Sequence, residues 1–318
     1  IRQADGTNDL DVAVFGDVME NYDITFNPDG SITVEHDDVS DDLESDGTDT
    51  LRNVEILRFA DQDFSLSVAA TGAPVISDTT PTQTQNLTSD TSGIADLNGL
   101  GAFSFQWQSS FDGTTWSDIG GATTDSFTPT AGEINMQLRL VVTFTDGLGT
   151  LETVISELTS VVGALFNGNA TANTFSGTAG ADVVNGFRGA DSLSGEGGDD
   201  IINGGADADT ILGGIGNDAL DGGGGADTMD GGNGNDAMAG GGGSDFMEGG
   251  DGDDTMNGNG GADQMSGGAG DDIMNGQAGP DTLDGGGDND TLNGGASSDT
   301  LIGGQGDDTI DGGDGTDT

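Results

Sequence analysis

An aspartate recurs at every ninth position of the C-terminal half without a slip of register: Asp182, Asp191, Asp200, Asp209, Asp218, Asp227, Asp236, Asp245, Asp254, Asp263, Asp272, Asp281, Asp290, Asp299, Asp308 and Asp317. Five residues before each stands a Gly, from Gly177 to Gly312. Two residues before each stands another in thirteen of the sixteen copies, the departures being Asp207, Asp288 and Ser297. Two residues after each, as far as the chain runs, is a large apolar side chain. The series reads Val184, Leu193, Ile202, Ile211 and Leu220, then Met in six consecutive copies from Met229 to Met274, then Leu283, Leu292, Leu301 and Ile310. A degenerate copy precedes it, with Asn173 in the Asp place and Phe175 in the apolar place. A unit this short cannot bury its apolar face alone, so neighbouring copies must stack. A solvated acidic linker has no reason to hold register over sixteen copies, and low complexity therefore does not account for the series.

Written as G-G-x-G-x-D-x-U-x, with U the large apolar residue, the unit resembles the RTX, or haemolysin-type, calcium-binding repeats over residues 164–318. Gly at the first and fourth places lets the loop curl through conformations barred to other residues and turn carbonyls inward as ligands. Three strand residues follow, U pointing in and its neighbours out. With two copies to a coil, Asp residues eighteen apart stack about 4.8 Å from one another, one strand spacing. A hard, oxygen-seeking cation can bridge them there, and Ca²⁺ suits such a flexible shell where Mg²⁺ does not. The sixteen Asp then form two columns, 182 to 308 and 191 to 317, of eight members and seven gaps each, for up to about fourteen Ca²⁺. Where Gly is replaced at the fourth place, the neighbouring sites are expected to be weakened. The additional carboxylates at the fifth place, Asp199, Asp253, Asp271 and Asp307, read as solvent-facing. The Met run reads as core filler rather than a soft-metal site. One buried apolar side chain per nine Gly-rich residues does not offset the entropy of ordering them, and like charges add repulsion. Folding and calcium binding are therefore expected to be one event. The resemblance implies a right-handed parallel β-roll, type I secretion through a C-terminal signal, and folding on meeting calcium outside the cell.

Composition narrows the partners. The chain has 58 Asp and Glu against five Arg and no Lys, a formal charge of −53 in 318 residues, so phosphate repulsion excludes nucleic acid and an anionic membrane surface. With 61 Gly but 5 Pro, it is neither collagen nor a Pro-rich linker. Cys is absent, so an extracellular chain needs a staple other than disulfides, and the carboxylates point to metal. No apolar stretch approaches a membrane span. The chain opens at Ile1 without Met or signal peptide and stops in mid-pattern at Thr318, and so reads as a fragment of a larger protein.

The preceding half differs in kind. Tyr22–Phe26 and Ile32–His36 alternate apolar and polar around Asn27, Pro28, Asp29 and Gly30, a hairpin signal. An acidic run over 37–49 reads as a solvated loop, and Leu51, Val54, Leu57 and Phe59 line a short β-rich core, giving a small module over 1–69. From 70 to 163, Phe103, Phe105 and Trp107 and later Leu138, Leu140, Val142 and Phe144 alternate with polar residues, with turn signals at Asp112-Gly113, Gly120-Gly121 and Asp146-Gly147. This resembles the Cys-free bacterial immunoglobulin-like modules, an immunoglobulin-like β-sandwich. The expected class is all-β: the small module, the sandwich, and a parallel β-roll (β-solenoid) over 164–318.

His36 is the only His and reads as structural, and no nucleophile–base set, haem-attachment motif, zinc motif or phosphate loop is present. No enzyme is expected in this chain. The leading expectation is a calcium-stabilised extracellular or cell-surface segment acting in export, spacing, assembly or adhesion, with calcium ions and cell-surface or self-assembly partners. The alternative is the accessory tail of a secreted exoenzyme such as a protease, lipase or animal-type haem peroxidase; residues 47–61 resemble a module frequently placed near such repeats, and the order of modules is similar to the tail of certain large secreted bacterial proteins, including animal-type haem peroxidases. Ice binding by a Thr face is poorly supported, because Phe246 and Gln264 interrupt the column holding Thr228, Thr282 and Thr300.

Overall fold

The nine-residue period closes into a two-sided coil. In the computed structural model, copies alternate between two parallel sheets, one of nine strands from Leu165–Asn167 to Thr309–Asp311 and one of eight from Thr174–Thr178 to Thr300–Gly304. Each strand pairs with the strand eighteen residues on, so Ile202 lies beside Leu220 in one sheet and Met229 beside Met247 in the other. The degenerate copy keeps the same register, Phe175 pairing with Leu193. The structure describes residues 12–15, 19, 22–26, 31–36, 48–51, 54, 56–60, 62–65, 69–96 and 98–318, and these contain no α-helix.

The strands are longer than the three residues expected. Thr228–Asn233 is typical: it starts directly after Asp227 and runs through the first two Gly of the next copy. Because side chains alternate across a strand, three successive inward places in each copy are taken by Asp, U and the first-place Gly. Thus Asp227, Met229 and Gly231 are all buried while Thr228 is exposed. The U column from Val184 to Leu292 forms one continuous core, at most 2% exposed at any member. Phe166 and Phe175, stacked at 4.7 Å between centroids, close it at the N-terminal end. All six Met of the run lie in this core, with no polar side chain among them but the Asp columns.

Residues 70–163 form two antiparallel sheets. One is built from Ser104–Ser110, Ser117–Asp118, Gln137–Thr145 and Leu151–Ile155, the other from Val75–Ile76, Leu87–Asp90 and Ser126–Phe127. Both contribute to a single apolar cluster around Trp107, whose indole N–H donates to the Thr124 carbonyl at 3.1 Å. Trp116 is half-buried beneath the Arg139 guanidinium, 4.2 Å from its ring centroid. This body covers the first coil. Gln83 N–H donates to the Gly163 carbonyl and Gly163 N–H to the Pro81 carbonyl, both at 2.9 Å, while the Thr82 hydroxyl donates to the Ala181 carbonyl at 2.9 Å.

Nearer the N-terminus, Tyr22–Phe26 pairs antiparallel with Ile32–His36, which pairs with Thr48–Leu51. The main chain of His36 lies opposite Tyr22. The turn at 27–30 and the acidic run up to residue 47 lie outside the described residues. Leu51, Leu57 and Phe59 are buried and Val54 packs against them, with Ala13, Ile32 and Val34 completing the cluster. Val12–Val14 pairs in parallel with Ile56–Arg58, a contact across more than forty residues that no local pattern announces.

Candidate metal centre

The Asp of each copy enters its strand pointing inward. From Asp182 to Asp299 all fourteen are 1–3% exposed, whereas Asp308 and Asp317, in the last coil, are half-buried. One carboxylate oxygen of each is used to tie coils together. Asp218 N–H donates to Asp236 Oδ1 and Asp236 N–H to Asp254 Oδ1, each at 2.7 Å, and in the other column Asp227 N–H donates to Asp245 Oδ1 at 2.9 Å. The second oxygen is different. Oδ2 of Asp191, Asp200, Asp209, Asp218, Asp227, Asp236, Asp245, Asp254, Asp263, Asp272, Asp281, Asp290 and Asp299 is buried without a hydrogen-bond partner. A buried ionised oxygen left unpaired is costly, and one such atom per copy is far beyond the few that native folds tolerate.

What faces these oxygens is the space left by the first-place Gly. A Cβ built on Gly231, Gly249 or Gly285 would collide with Oδ2 of its own copy's Asp, and would lie 2.6 Å from the carbonyl oxygen of Gly249, Gly267 or Gly303 in the next coil. At these copies a carboxylate oxygen and a main-chain carbonyl oxygen of the next coil thus lie close together beside the first-place Gly. Such a set of hard oxygens fits Ca²⁺. Among the described residues no three His, Cys, Asp or Glu side chains come together to hold a metal. A cation here would therefore draw on carbonyls as well as carboxylates.

This geometry revises the role expected for the first Gly. Positive φ falls at the second and fourth places, for example Gly232 at 105° and Gly234 at 124°, and not at the first. Gly231 and its counterparts are needed for space rather than for conformation. The substituted fourth places keep the loop shape, with Asp207, Asp288 and Ser297 at φ of 81°, 70° and 113°. The adjacent Asp209, Asp290 and Asp299 retain their unpartnered oxygens.

One member of the series is chemically distinct, a point the sequence reading passed over. At Asp182, Thr178 takes the second place where Gly is usual, donating its N–H to Oδ2 at 2.6 Å and its hydroxyl to Oδ1 at 2.9 Å. Ala164 N–H also donates to Oδ1. Both oxygens of this carboxylate have protein donors, and the signal was the Thr itself. The degenerate Asn173 likewise uses its amide oxygen locally, accepting from Asn169 N–H at 2.9 Å.

The fifth-place carboxylates lie outside the core. Asp199, Asp253, Asp271 and Asp307 are exposed and share one outer column with Asn217, Asn235 and Asn289. There each side-chain oxygen accepts the main-chain N–H of the next coil at 2.8–3.0 Å.

Burial pushes the inner carboxyls from Asp200 to Asp290 up, opposed by the N–H bond from the preceding coil and, at most of them, reinforced by neighbouring Asp charges. Asp200 rises to about 8 and Asp254 to about 7, while Asp218, Asp227, Asp263 and Asp272 rise to about 6. In the unfolded chain these groups titrate near 4. A raised folded-state value means that protonation favours the metal-free fold: the contribution is fully present below about pH 4 and is lost as pH rises through about 6–8. In excess chelator, lowering pH from about 8 to about 5 is therefore expected to increase β-structure by circular dichroism. With calcium the dependence reverses, because the cation takes the place of the protons and binding releases them. A β-signal in chelator that is flat or falls on acidification would contradict this.

Residues 68–162 match a domain of unknown function (DUF8696). None of the curated proteins compared with the chain matches it. Overlapping four-copy windows from 167–202 through 284–318 match the RTX calcium-binding nonapeptide repeat. The register, the parallel coil and the inward carboxylates agree with that match, and residues 167–318 are RTX calcium-binding nonapeptide repeats wound as a β-solenoid.

Proposed function

We propose that the sixteen Asp from Asp182 to Asp317 are calcium ligands in two columns, and that up to about fourteen ions stiffen residues 164–318. On this reading 1–69 is a small β-rich domain, 70–163 an immunoglobulin-like sandwich and 164–318 the calcium-loaded roll. Together they serve export, spacing, and assembly or adhesion of a larger type I-secreted or cell-surface protein. The observation that carries the reading is the row of thirteen buried Oδ2 atoms without a partner. Calcium would supply charge neutralisation there and a link between coils; the chain's own groups supply the gap, the carbonyls and the register. No turnover is assigned to this chain, whose inventory of one His, no Cys and no Lys offers little for general acid–base or nucleophilic chemistry.

Equilibrium dialysis of the full chain tests the reading together with three substitutions. Wild type is expected to bind many ions with affinities of about 10⁻⁴–10⁻³ M, as extracellular modules do. Asp236→Ala removes a carboxylate between Asp218 and Asp254 and should raise the calcium midpoint severalfold. Asp182→Ala should raise it less, because Thr178 and Ala164 already satisfy that carboxylate. Asp271→Ala removes equal charge but only two exposed hydrogen bonds, from the main-chain N–H and the side-chain amide of Asn289, and should do little. Equal effects from all three would mean that bulk charge, not register, governs binding.

A further inference from the structure

A second set of buried unpartnered carboxylates lies outside the roll, at the end of the sandwich where the chain enters it. Asp146, 6% exposed, opens the hairpin loop between Gln137–Thr145 and Leu151–Ile155. Its Oδ1 accepts two main-chain N–H groups, from Leu148 at 2.9 Å and Thr150 at 2.6 Å. Its Oδ2 is buried with no partner. The loop after Ile94 comes against this hairpin: Gly147 N–H donates to the Asn98 carbonyl at 2.9 Å. In that loop Asp96 repeats the arrangement, Oδ1 accepting from Asn98 N–H at 2.6 Å and Oδ2 buried without a partner. An indentation of about 280 Å³ lined by Asn98, Leu100, Thr145 and Asp146 lies where the two loops meet. Glu152 is near enough for its charge to act on Asp96, but its Oε2 is turned to Ala70 N–H, which donates to it at 3.4 Å.

No side-chain cation of this body answers the charge. Its one Arg, Arg139, donates to Gln108 Oε1 at 2.7 Å and lies over Trp116. Burial, and then the charges of Asp146 and Glu152, hold the Asp96 carboxyl above the usual range despite its N–H bond from Asn98. Two carboxylates, each anchored by main-chain N–H bonds through one oxygen, present their second oxygens in adjacent loops. This repeats the chemistry of the roll. From the buried, unpartnered Oδ2 atoms of Asp96 and Asp146 on facing loops, we infer a divalent-cation site of calcium type, completed by main-chain carbonyls of the two loops. The site ties the 145–152 hairpin to the 96–101 loop, beside the segment entering at Ala70. It lies at the end of the sandwich that receives residues 1–69, away from the Pro81–Gln85 edge that covers the roll, and so stiffens the upstream junction.

Hydrogen exchange by mass spectrometry on the full chain at fixed neutral pH separates this site from the array, because segments 94–101 and 144–152 are read apart from segments 200–300. In wild type, calcium at ten times the dissociation constant should slow exchange in the two loop segments about tenfold relative to chelator. Magnesium at the same concentration should not. Asp146→Asn keeps an acceptor for Leu148 and Thr150 but removes the charge; it should abolish calcium-dependent slowing in both loop segments and leave that of the array intact. Should Asp146→Asn fail to fold, seen as exposed-Trp emission in calcium, Asp96→Asn carries the same expectation. Slowing that is absent in wild type, or that persists in the folded variant, overturns the site.

Discussion

Gly243→Ala is expected to disrupt the solenoid, whereas Gly242→Ala, one residue away, should leave it intact. The two add the same methyl group to adjacent positions, the last residue of the Ala237–Gly242 strand and the residue after it. At Gly242 a Cβ meets no atom within 4 Å and the backbone is in a region open to any residue. Ala there should be neutral or add about 0.4–1 kcal/mol by restricting the unfolded chain. At Gly243 φ is +150° and a Cβ would run into the carbonyl of Gly225 in the previous coil. Neither backbone can retreat, because Gly243 N–H is itself bonded to the Gly260 carbonyl at 2.8 Å. The cost is on the order of 3 kcal/mol, from forbidden backbone conformation and overpacking together. Gly249→Ala should be comparably severe for another reason: its Cβ would collide with Asp254 Oδ2 and lie 2.6 Å from the Gly267 carbonyl, displacing the two oxygens proposed to hold the cation. Thermal unfolding in saturating calcium checks all three. Equal destabilisation by Gly242→Ala and Gly243→Ala would mean that glycine content, not position, shapes the loop.

The register of the roll was legible because a strand's period of two and a coil of eighteen residues act on every copy alike. Sixteen repetitions of Asp and U therefore identify the inward columns without reference to anything distant. What was not legible is what depends on a neighbour's position. A Gly in sequence does not say whether it answers a positive φ, as at Gly234, or a carboxylate crowding it, as at Gly231. Thr178 looks like any polar loop residue until its N–H and hydroxyl are found on Asp182. Asp146-Gly147 read correctly as a turn, but the burial of the Asp146 carboxylate comes from a loop some fifty residues earlier. Likewise the parallel pairing of Val12–Val14 with Ile56–Arg58 has no local signature. In the sandwich the alternation of Leu138, Leu140, Val142 and Phe144 did place the core, since one face of that strand is buried throughout.

Withdrawing calcium from the full chain is expected to unfold residues 164–318 while the sandwich persists. Each coil of the roll touches only its neighbours, and each copy buries one large apolar side chain, one Gly and one carboxylate. Without a cation at neutral pH the carboxylates must either take up protons or face one another one strand apart in a dry core, and both choices disfavour the fold. The sandwich has its own apolar cluster around Trp107, Leu138, Leu140 and Val142, and both Trp of the chain lie in it or beside it. Tryptophan emission therefore reports the sandwich, and far-ultraviolet circular dichroism is dominated by the roll. The decisive measurement is a calcium titration of the full chain from excess chelator, followed by circular dichroism. The account predicts a coil-like spectrum that converts cooperatively to β-structure as calcium is added, with no conversion by magnesium at equal concentration and Trp emission little changed. A full β-signal already present in excess chelator at neutral pH would contradict it.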